Sequence, residues 1–441
     1  MGDPDSSEVP GTLFESGAGR FWLAVIVIGL GTGVGTIALT LLLETVQHWA
    51  WPGPSSDLLA SVNATSAWHR VSILLGAGVL TGVGQLVLVR LSSGNGIDIT
   101  QAIWFSAGRL PTIRTLGSAV LSVILVGMGV SLRREGAPKQ VGAVIANAAS
   151  DKGRLSDSQR RLLVACGAGS EMAAAYGVPL GGALFALELL RGALSLRLVL
   201  PALMTALIAT AVSWTVLPDA PTYVIPAYAS STSAIVWALL AGPVAGLVSV
   251  AYVRAIAYAD RHKPQVLRRL FAPLIALGLL GIVSTRYPEV LGNGKDIAQL
   301  AFVGEIAPAL LLILFVLKPL ATILCLGSGT PGGLFTPSLA LGALLGGLLG
   351  QLWSAVVPGL PPGLFAVIGA SAMLAATTQG PISAVVLIME LTGRGRSFIV
   401  PMLLAVATAT LVARSIEPRS IYEARLNEEE VTARRKARNI V

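Results

Sequence analysis

Apolar residues fill this chain in stretches separated by short polar breaks. Stretches able to span or enter a bilayer are 21–43, 73–91, 116–132, 162–175, 179–190, 198–216, 234–257, 271–284, 307–326, 338–349, 365–376, 382–391 and 398–412. A full helical span needs about 20 residues. Several stretches here reach only about 12 to 15 and are cut by Gly or Pro. The pattern predicts an all-α polytopic membrane protein built from short, broken, tilted helices. Discontinuous helices of this kind belong to transporters and channels, where non-helical backbone lines a pathway. A rigid bundle receptor would show longer, unbroken spans.

One break carries a charge that the bilayer makes costly. Glu135 stands in Arg133-Arg134-Glu135-Gly136-Ala137-Pro138, between the stretch 116–132 and a small-residue stretch 141–149. An ionisable residue between two membrane segments is a functional candidate, because burial of an unpaired carboxylate is penalised. Gly136 and Pro138 release the backbone from regular helix beside it. An ion-pair role with Arg133 or Arg134 is the structural alternative.

The chain repeats itself. Gly167-Ala168, Ala173-Ala174, Pro179 and Glu188-Leu189 recur as Gly369-Ala370, Ala375-Ala376, Pro381 and Glu390-Leu391, each 202 positions later. A second correspondence at an offset of 200 relates Glu135 to Phe335 and Gly142-Ala143 to Gly342-Ala343. This predicts an N-terminal tail 1–19, a first membrane repeat 20–215, a linker 216–233, a second repeat 234–415 and a C-terminal tail 416–441. Repeated halves place a substrate site at their interface near the midplane. Periodicity leaves open whether the halves are inverted or parallel. The run Gly29, Gly31, Gly33, Gly35 predicts close helix crossings.

Composition closes off other classes. The 441 residues are 54% hydrophobic and 12% charged, against roughly 25% charged in a soluble domain. The mean hydropathy is +0.75. The net charge of +8 comes from basic clusters in short loops at 152–161, 254–269 and 434–438. In a membrane protein these report topology and favour the cytoplasmic side; no nucleic-acid partner is implied. Both termini are expected in the cytoplasm, and 1–19 lacks a signal-peptide pattern. Cys166 and Cys325 lie in apolar stretches and read as small buried residues.

Three Gly-rich breaks carry the chemistry: Ser92-Ser93-Gly94-Asn95-Gly96-Ile97-Asp98, the Glu135 segment, and Gly327 to Pro337. Each follows an apolar stretch and precedes another. Helix N-termini offer unbonded N–H groups and the positive end of a dipole, which together attract anions. Several such ends converging in a membrane make a small-anion site without a full basic charge. Such a site also releases its ion, as conduction requires.

In combination these segments resemble the CLC family of chloride channels and transporters, specifically bacterial members without CBS domains. The first family motif, glycine-serine-glycine-isoleucine-proline, reads Gly94-Asn95-Gly96-Ile97-Asp98 here. The second, glycine-arginine-glutamate-glycine-proline, reads Arg133-Arg134-Glu135-Gly136-Ala137. The third, glycine-x-phenylalanine-x-proline, is intact as Gly333-Leu334-Phe335-Thr336-Pro337, and the late tyrosine matches Tyr422. The resemblance covers roughly residues 20–427 and implies two inverted-topology halves and a homodimer with one anion pore per subunit. It implies that the N–H groups of Leu334 and Phe335, the Asn95 side chain and the Tyr422 hydroxyl hold a central anion. The N–H groups of Arg134 and Gly136 would form an outer site. Glu135 would be the gate, its carboxylate competing with the anion for the same donors and swinging away when protonated.

The expectation is therefore a chloride/proton antiporter in the cell membrane, needing no cofactor or metal. Departures from the family pattern keep alternatives open. Asn95 stands in place of serine, a position that varies in the fluoride-exporting branch, so a fluoride/proton antiporter is the alternative, with a passive chloride channel beside it. Asp98 and Ala137 replace prolines, and Lys139 adds a cation near the gate. Leu189 occupies the position where proton-coupled members carry an internal glutamate; the inner proton route is left to water, to Glu188, or to nothing. Glu188 and its repeat partner Glu390 read as structural. An intramembrane enzyme would need a dyad or metal cluster, but His48, His69 and His262 lie near loops without ligand spacing. A carrier of larger organic solutes would show more polar and aromatic residues within its spans.

Overall fold

The polar residues flanking each apolar stretch decide where its helix starts. The computed structural model describes residues 9–10, 12, 14–53, 57–91, 98–132, 136–192, 195–229, 231–265, 268–426, 429 and 432. The first half contains α1 (Ala18–Ala50), α2 (Leu58–Asn63), α3 (Ala67–Leu91), α4 (Ile99–Phe105), α5 (Thr112–Gly127), α6 (Gly136–Gly153), α7 (Asp157–Tyr176), α8 (Pro179–Leu184) and α9 (Leu196–Ser213). The second contains α10 (Thr232–Arg261), α11 (Arg268–Arg286), α12 (Lys295–Val303), α13 (Pro308–Gly327), α14 (Phe335–Val356), α15 (Pro362–Thr378), α16 (Pro381–Thr392) and α17 (Ile399–Ile416). The last turns of α8 continue as a π-helix, Phe185–Arg191.

Helix α7 begins at Asp157, ahead of the apolar stretch, because Ser156 and Gln159 close a capping box there. Helices α8 and α16 both start on a proline whose missing N–H costs nothing in a first turn. Helix α14 runs to 22 residues, longer than the expected stretch 338–349, because the polar turns Thr336–Ser338 and Gln351–Ser354 stay helical. The short helices α2, α4 and α12 have too few apolar residues to stand out in the sequence. Helix α1, at 33 residues, extends about 50 Å, well beyond a hydrocarbon core of roughly 30 Å. It must run oblique or protrude. Among the described residues, eight helices are long and apolar enough to cross a membrane. On α11, Phe271, Ile275, Leu279 and Ile282 form an exposed apolar stripe that lipid would cover. The chain is a multi-pass membrane protein.

The two halves repeat their packing as well as their sequence. Helix α1 lies on α9 as α10 lies on α17; α6 on α7 as α14 on α15; α5 on α6 as α13 on α14. The closest seams use the same glycines. A Cβ on Gly142 would collide with the Gly167 carbonyl, and one on Gly342 with the Gly369 carbonyl. Only glycine lets these backbones meet. The turn after α7 uses Gly177 at φ 65°, while its equivalent after α15 is Gln379 at φ 60°. The Gln379 side chain is held in that strained turn by Arg414, whose Nε donates to Oε1 at 3.1 Å.

A reciprocal pair of glutamates joins the halves. Glu390 accepts from the Leu180 and Gly181 N–H groups at 3.1 and 2.6 Å. Glu188 accepts from Ile382 and Ser383 N–H at 3.2 and 2.6 Å, and from the Ser383 hydroxyl at 2.5 Å. Each carboxylate satisfies the first-turn amides of the other half's helix, where negative charge is favoured. Such a swap of partners is the mark of a two-fold relation. The fold is thus two inverted-topology repeats around an internal two-fold axis.

Candidate anion site

A cavity of about 630 Å³ opens between the halves where α6, α14 and the segment after α17 converge. Leu334, Phe335 and Tyr422 all line it, so three of the residues expected at a central anion site come together. Gly136 heads α6. Asn95, Arg134 and Glu135 lie outside the described residues.

Helix α14 presents its positive end here. Leu334 is its N-cap and Phe335 its first residue, with no intrahelical carbonyl to meet their N–H groups. Pro337 has no N–H, so the donors of this turn are confined to the residues before it. The preceding loop turns at Gly329, whose φ of 94° suits glycine. Hydroxyls of Ser328 and Thr330 meet at 2.9 Å and hold that turn.

Tyr422 reaches the cavity because the chain after α17 is tied down on both sides. The Ile421 N–H donates to the Thr377 carbonyl of α15 at 2.8 Å. Glu417 pairs with Arg419 at 2.7 Å and Arg254 at 3.2 Å. Arg425 donates to Asp260 at 2.9 Å, and Lys263 meets the same oxygen at 2.5 Å. The Arg419 hydrogen bond and then Arg254 hold the Glu417 carboxyl below its usual pKa. Burial, and secondarily the Arg425 guanidinium, lower that of the Lys263 ammonium.

The Tyr422 ring stands edge-on to Phe185, with centroids 6.2 Å apart, and Phe185 is edge-on to Phe335 at 6.3 Å. Lys139 sits in this cluster. Its Nζ lies 3.5 Å from the Tyr422 hydroxyl and 3.8 Å from the Phe185 ring centre. Sequence reasoning placed Lys139 beside the gate without assigning it to the site, and missed Phe185. A lysine among the apolar and small residues of α6 was the available signal.

Among the described residues, the cavity walls carry six basic side chains, Arg114, Lys139, Arg261, Lys263, Arg269 and Arg425, against two acidic ones, Asp98 and Asp260. This imbalance attracts anions and repels cations. Asp98 caps α4 by accepting from the Thr100 N–H at 2.8 Å, which accounts for a carboxylate where proline was expected. Leu189 packs against Gly380, and its neighbour Leu190 lines the cavity. Glu188 is engaged by three donors of α16, as a structural role requires. A further carboxyl, Glu171 on α7, is fully buried. It accepts from the Gly142 N–H at 2.9 Å, while its other oxygen has no partner among the described residues.

Comparison with known proteins bears on the family and the fold. The profile of the family described as Voltage gated chloride channel matches residues 75–414. A putative chloride channel protein ClcB-like from Ralstonia nicotianae is 30% identical over 412 residues, covering 90% of this chain and 94% of the relative. The H(+)/Cl(-) exchange transporter ClcA of Vibrio parahaemolyticus is 31% identical over 428 residues, covering 91% and 87%. Among solved structures, a slow cyanobacterial Cl-/H+ antiporter superposes with a TM-score of 0.80 at 22% identity, covering 91% of this chain and 96% of the other. A CLC-type fluoride/proton antiporter does so at 0.76 and 21%, covering 94% and 99%. With its internal two-fold, its cationic cavity and a family match across most of its length, this chain belongs to the CLC family of voltage gated chloride channels and transporters.

Proposed function

We propose that this protein exchanges chloride for protons across the cell membrane, with Glu135 as the gate. The observation that carries the reading is the convergence of the α14 N-terminus, Tyr422 and a net basic wall on one cavity between the halves. Its anion-binding groups are the N–H groups of Leu334 and Phe335, the Asn95 side chain and the Tyr422 hydroxyl, with Arg134 and Gly136 N–H groups at an outer site. Glu135 directly precedes α6. Its carboxylate competes with the anion for the same donors, and protonation removes it, so the two movements are linked. The relatives named as H(+)/Cl(-) exchange transporters support the coupling.

The working unit is a homodimer of independent pores, each made of halves 20–215 and 234–415 joined by 216–233. Its termini lie in the cytoplasm and lipid covers its outer helices. Fluoride/proton exchange is the second reading, favoured by Asn95 and by the likeness to a fluoride/proton antiporter. The intact Gly333–Pro337 motif and Tyr422 favour chloride.

The test is purified protein in liposomes, with anion efflux and proton uptake recorded together under chloride and then fluoride gradients. Chloride efflux driving uphill proton uptake is expected. Anion flux without proton movement would leave a passive channel, and flux confined to fluoride would move the substrate. Asn95→Ser is expected to shift the preference between the two anions.

A further inference from the structure

We propose that Lys318 is a positioning residue for the gate: by folding the loop 290–292 around its ammonium, it holds the backbone that leads to Glu135. This rests on the anion-exchange reading above.

Lys318 is the eleventh of the 20 residues of α13, a helix long and apolar enough to span a bilayer. Its side chain is fully buried. A cation at that depth is expensive, so its contacts show what it is kept for. Its Nζ donates to the carbonyls of Val290 and Gly292 at 2.9 and 2.8 Å, and to that of Leu291 at 3.5 Å. Three consecutive carbonyls thus face the three protons of one ammonium. Carbonyls in a row converge only where the backbone curls, and Gly292 at φ 68° supplies the curl. The wrapping is close: a Cβ on Gly294 would come within 3.2 Å of the Lys318 Cε. The repeat does not require a cation here, since the equivalent position in the first half, 200 residues earlier, is Ser118.

The wrapped loop grips the other half. The Gly292 N–H donates to the Gly129 carbonyl at 2.8 Å. Gly129, at φ 88°, makes the turn after α5, as Gly329 at φ 94° makes the turn after α13. The second turn is held from within by the hydroxyls of Ser328 and Thr330. The first has Met128 and Val130 at those positions, which carry no hydroxyl. Its hold comes instead from across the molecule. Two further contacts continue it. The Ser131 N–H donates to the Cys325 thiol, about two turns beyond Lys318 on the same helix. Leu132 packs on Gly332, where an added Cβ would come 2.6 Å from the Leu132 Cβ. The second half therefore fixes residues 129–132 at three points, and Glu135 follows Leu132 by three residues. A carboxylate that competes with an anion for fixed N–H donors has to be delivered to them accurately. A gate on a loosened segment lets chloride pass without its proton.

Proton and chloride fluxes of the full-length protein in liposomes are to be recorded together over a pH series, beside thermal melting in detergent. Lys318→Met keeps the bulk and removes the ammonium. It is expected to lower the protons moved per chloride about ten-fold, because misplacing a reacting group by about 1 Å costs up to about 100-fold. Chloride flux should persist and lose its pH dependence, since it no longer waits on the gate. Lys318→Arg keeps donors for the loop and is expected to retain most of the coupling. A Lys318→Met variant that melts earlier but exchanges at the parental ratio would overturn the proposal, since Lys318 would then serve the scaffold alone. Should that variant not fold, Cys325→Ala decides, because it removes only the Ser131 contact: a lowered ratio supports the proposal and an unchanged one overturns it. A parent protein that moves chloride without protons would overturn the exchange reading, and this proposal with it.

Discussion

Helices α6–α8 and α14–α16 are two versions of one design, and they differ where chemistry enters. Both meet at a glycine seam, Gly142 on Gly167 and Gly342 on Gly369. Both end in a glutamate that caps the opposite half. Yet the second half has Leu339 where the first has Lys139, and Met373 where the first has Glu171. All four are buried. The apolar pair shows what packing alone asks of these positions. The charged pair marks what the first half adds to it. Shared residues therefore report the fold, and unshared ones report function or strain.

The largest effect should come from the gate. Glu135→Gln is expected to abolish proton coupling while anion flux persists, measured by uphill proton uptake in liposomes. Persistent coupling would remove Glu135 from the mechanism and leave its pairing with Phe335 across the repeat without consequence.

The reciprocal glutamates come next. Alanine at Glu188 or Glu390 strips hydrogen bonds to a charged group, worth about 1.5–3 kcal/mol each before relaxation. Both variants should melt earlier in detergent. Glu188→Ala should be the worse, because Glu188 serves three donors and Glu390 two. Equal losses would show that the Ser383 hydroxyl adds nothing.

Glu171→Met copies the second half into the first. A buried carboxyl, one oxygen of which has no partner among the described residues, is replaced by a side chain that fills the equivalent site, a change expected to be neutral or stabilising by about 1–2 kcal/mol. Melting temperature should hold or rise, with coupling intact. Loss of coupling would instead place Glu171 on the proton route that Leu189 leaves open.

The smallest effect concerns the strap that holds Tyr422. The Glu417 carboxyl has a lowered pKa in the folded protein, from its Arg419 and then Arg254 contacts. Its contribution to stability is present above the ordinary carboxylate pKa of about 4.3 and is lost as pH falls through the lower folded value. Glu417→Gln should flatten the acid limb of the melting-temperature profile and weaken chloride binding slightly by loosening Tyr422. An unchanged acid limb would show that the strap does not depend on this pair.

Much of the architecture was legible because membrane burial and helix period leave strong marks. The apolar stretches, the 202-residue repeat and the intact Gly333–Pro337 motif are all written in residue type and spacing. Helix ends were less legible. Capping by Ser156 and Gln159 moved α7 outward from its apolar stretch, and α14 absorbed polar turns at both ends. The short α2, α4 and α12 left too little periodicity to detect.

By itself the sequence determined the membrane setting, the internal repeat and the family, because these follow from hydrophobicity and local motif. Only the tertiary structure decided which distant groups share a cavity. It assigned Glu188 and Glu390 to the two-fold seam, gave Asp98 to a helix cap, and brought Lys139 to Phe185 and Tyr422. Those contacts join residues up to 283 positions apart. They depend on which helix faces meet, and no local propensity encodes that.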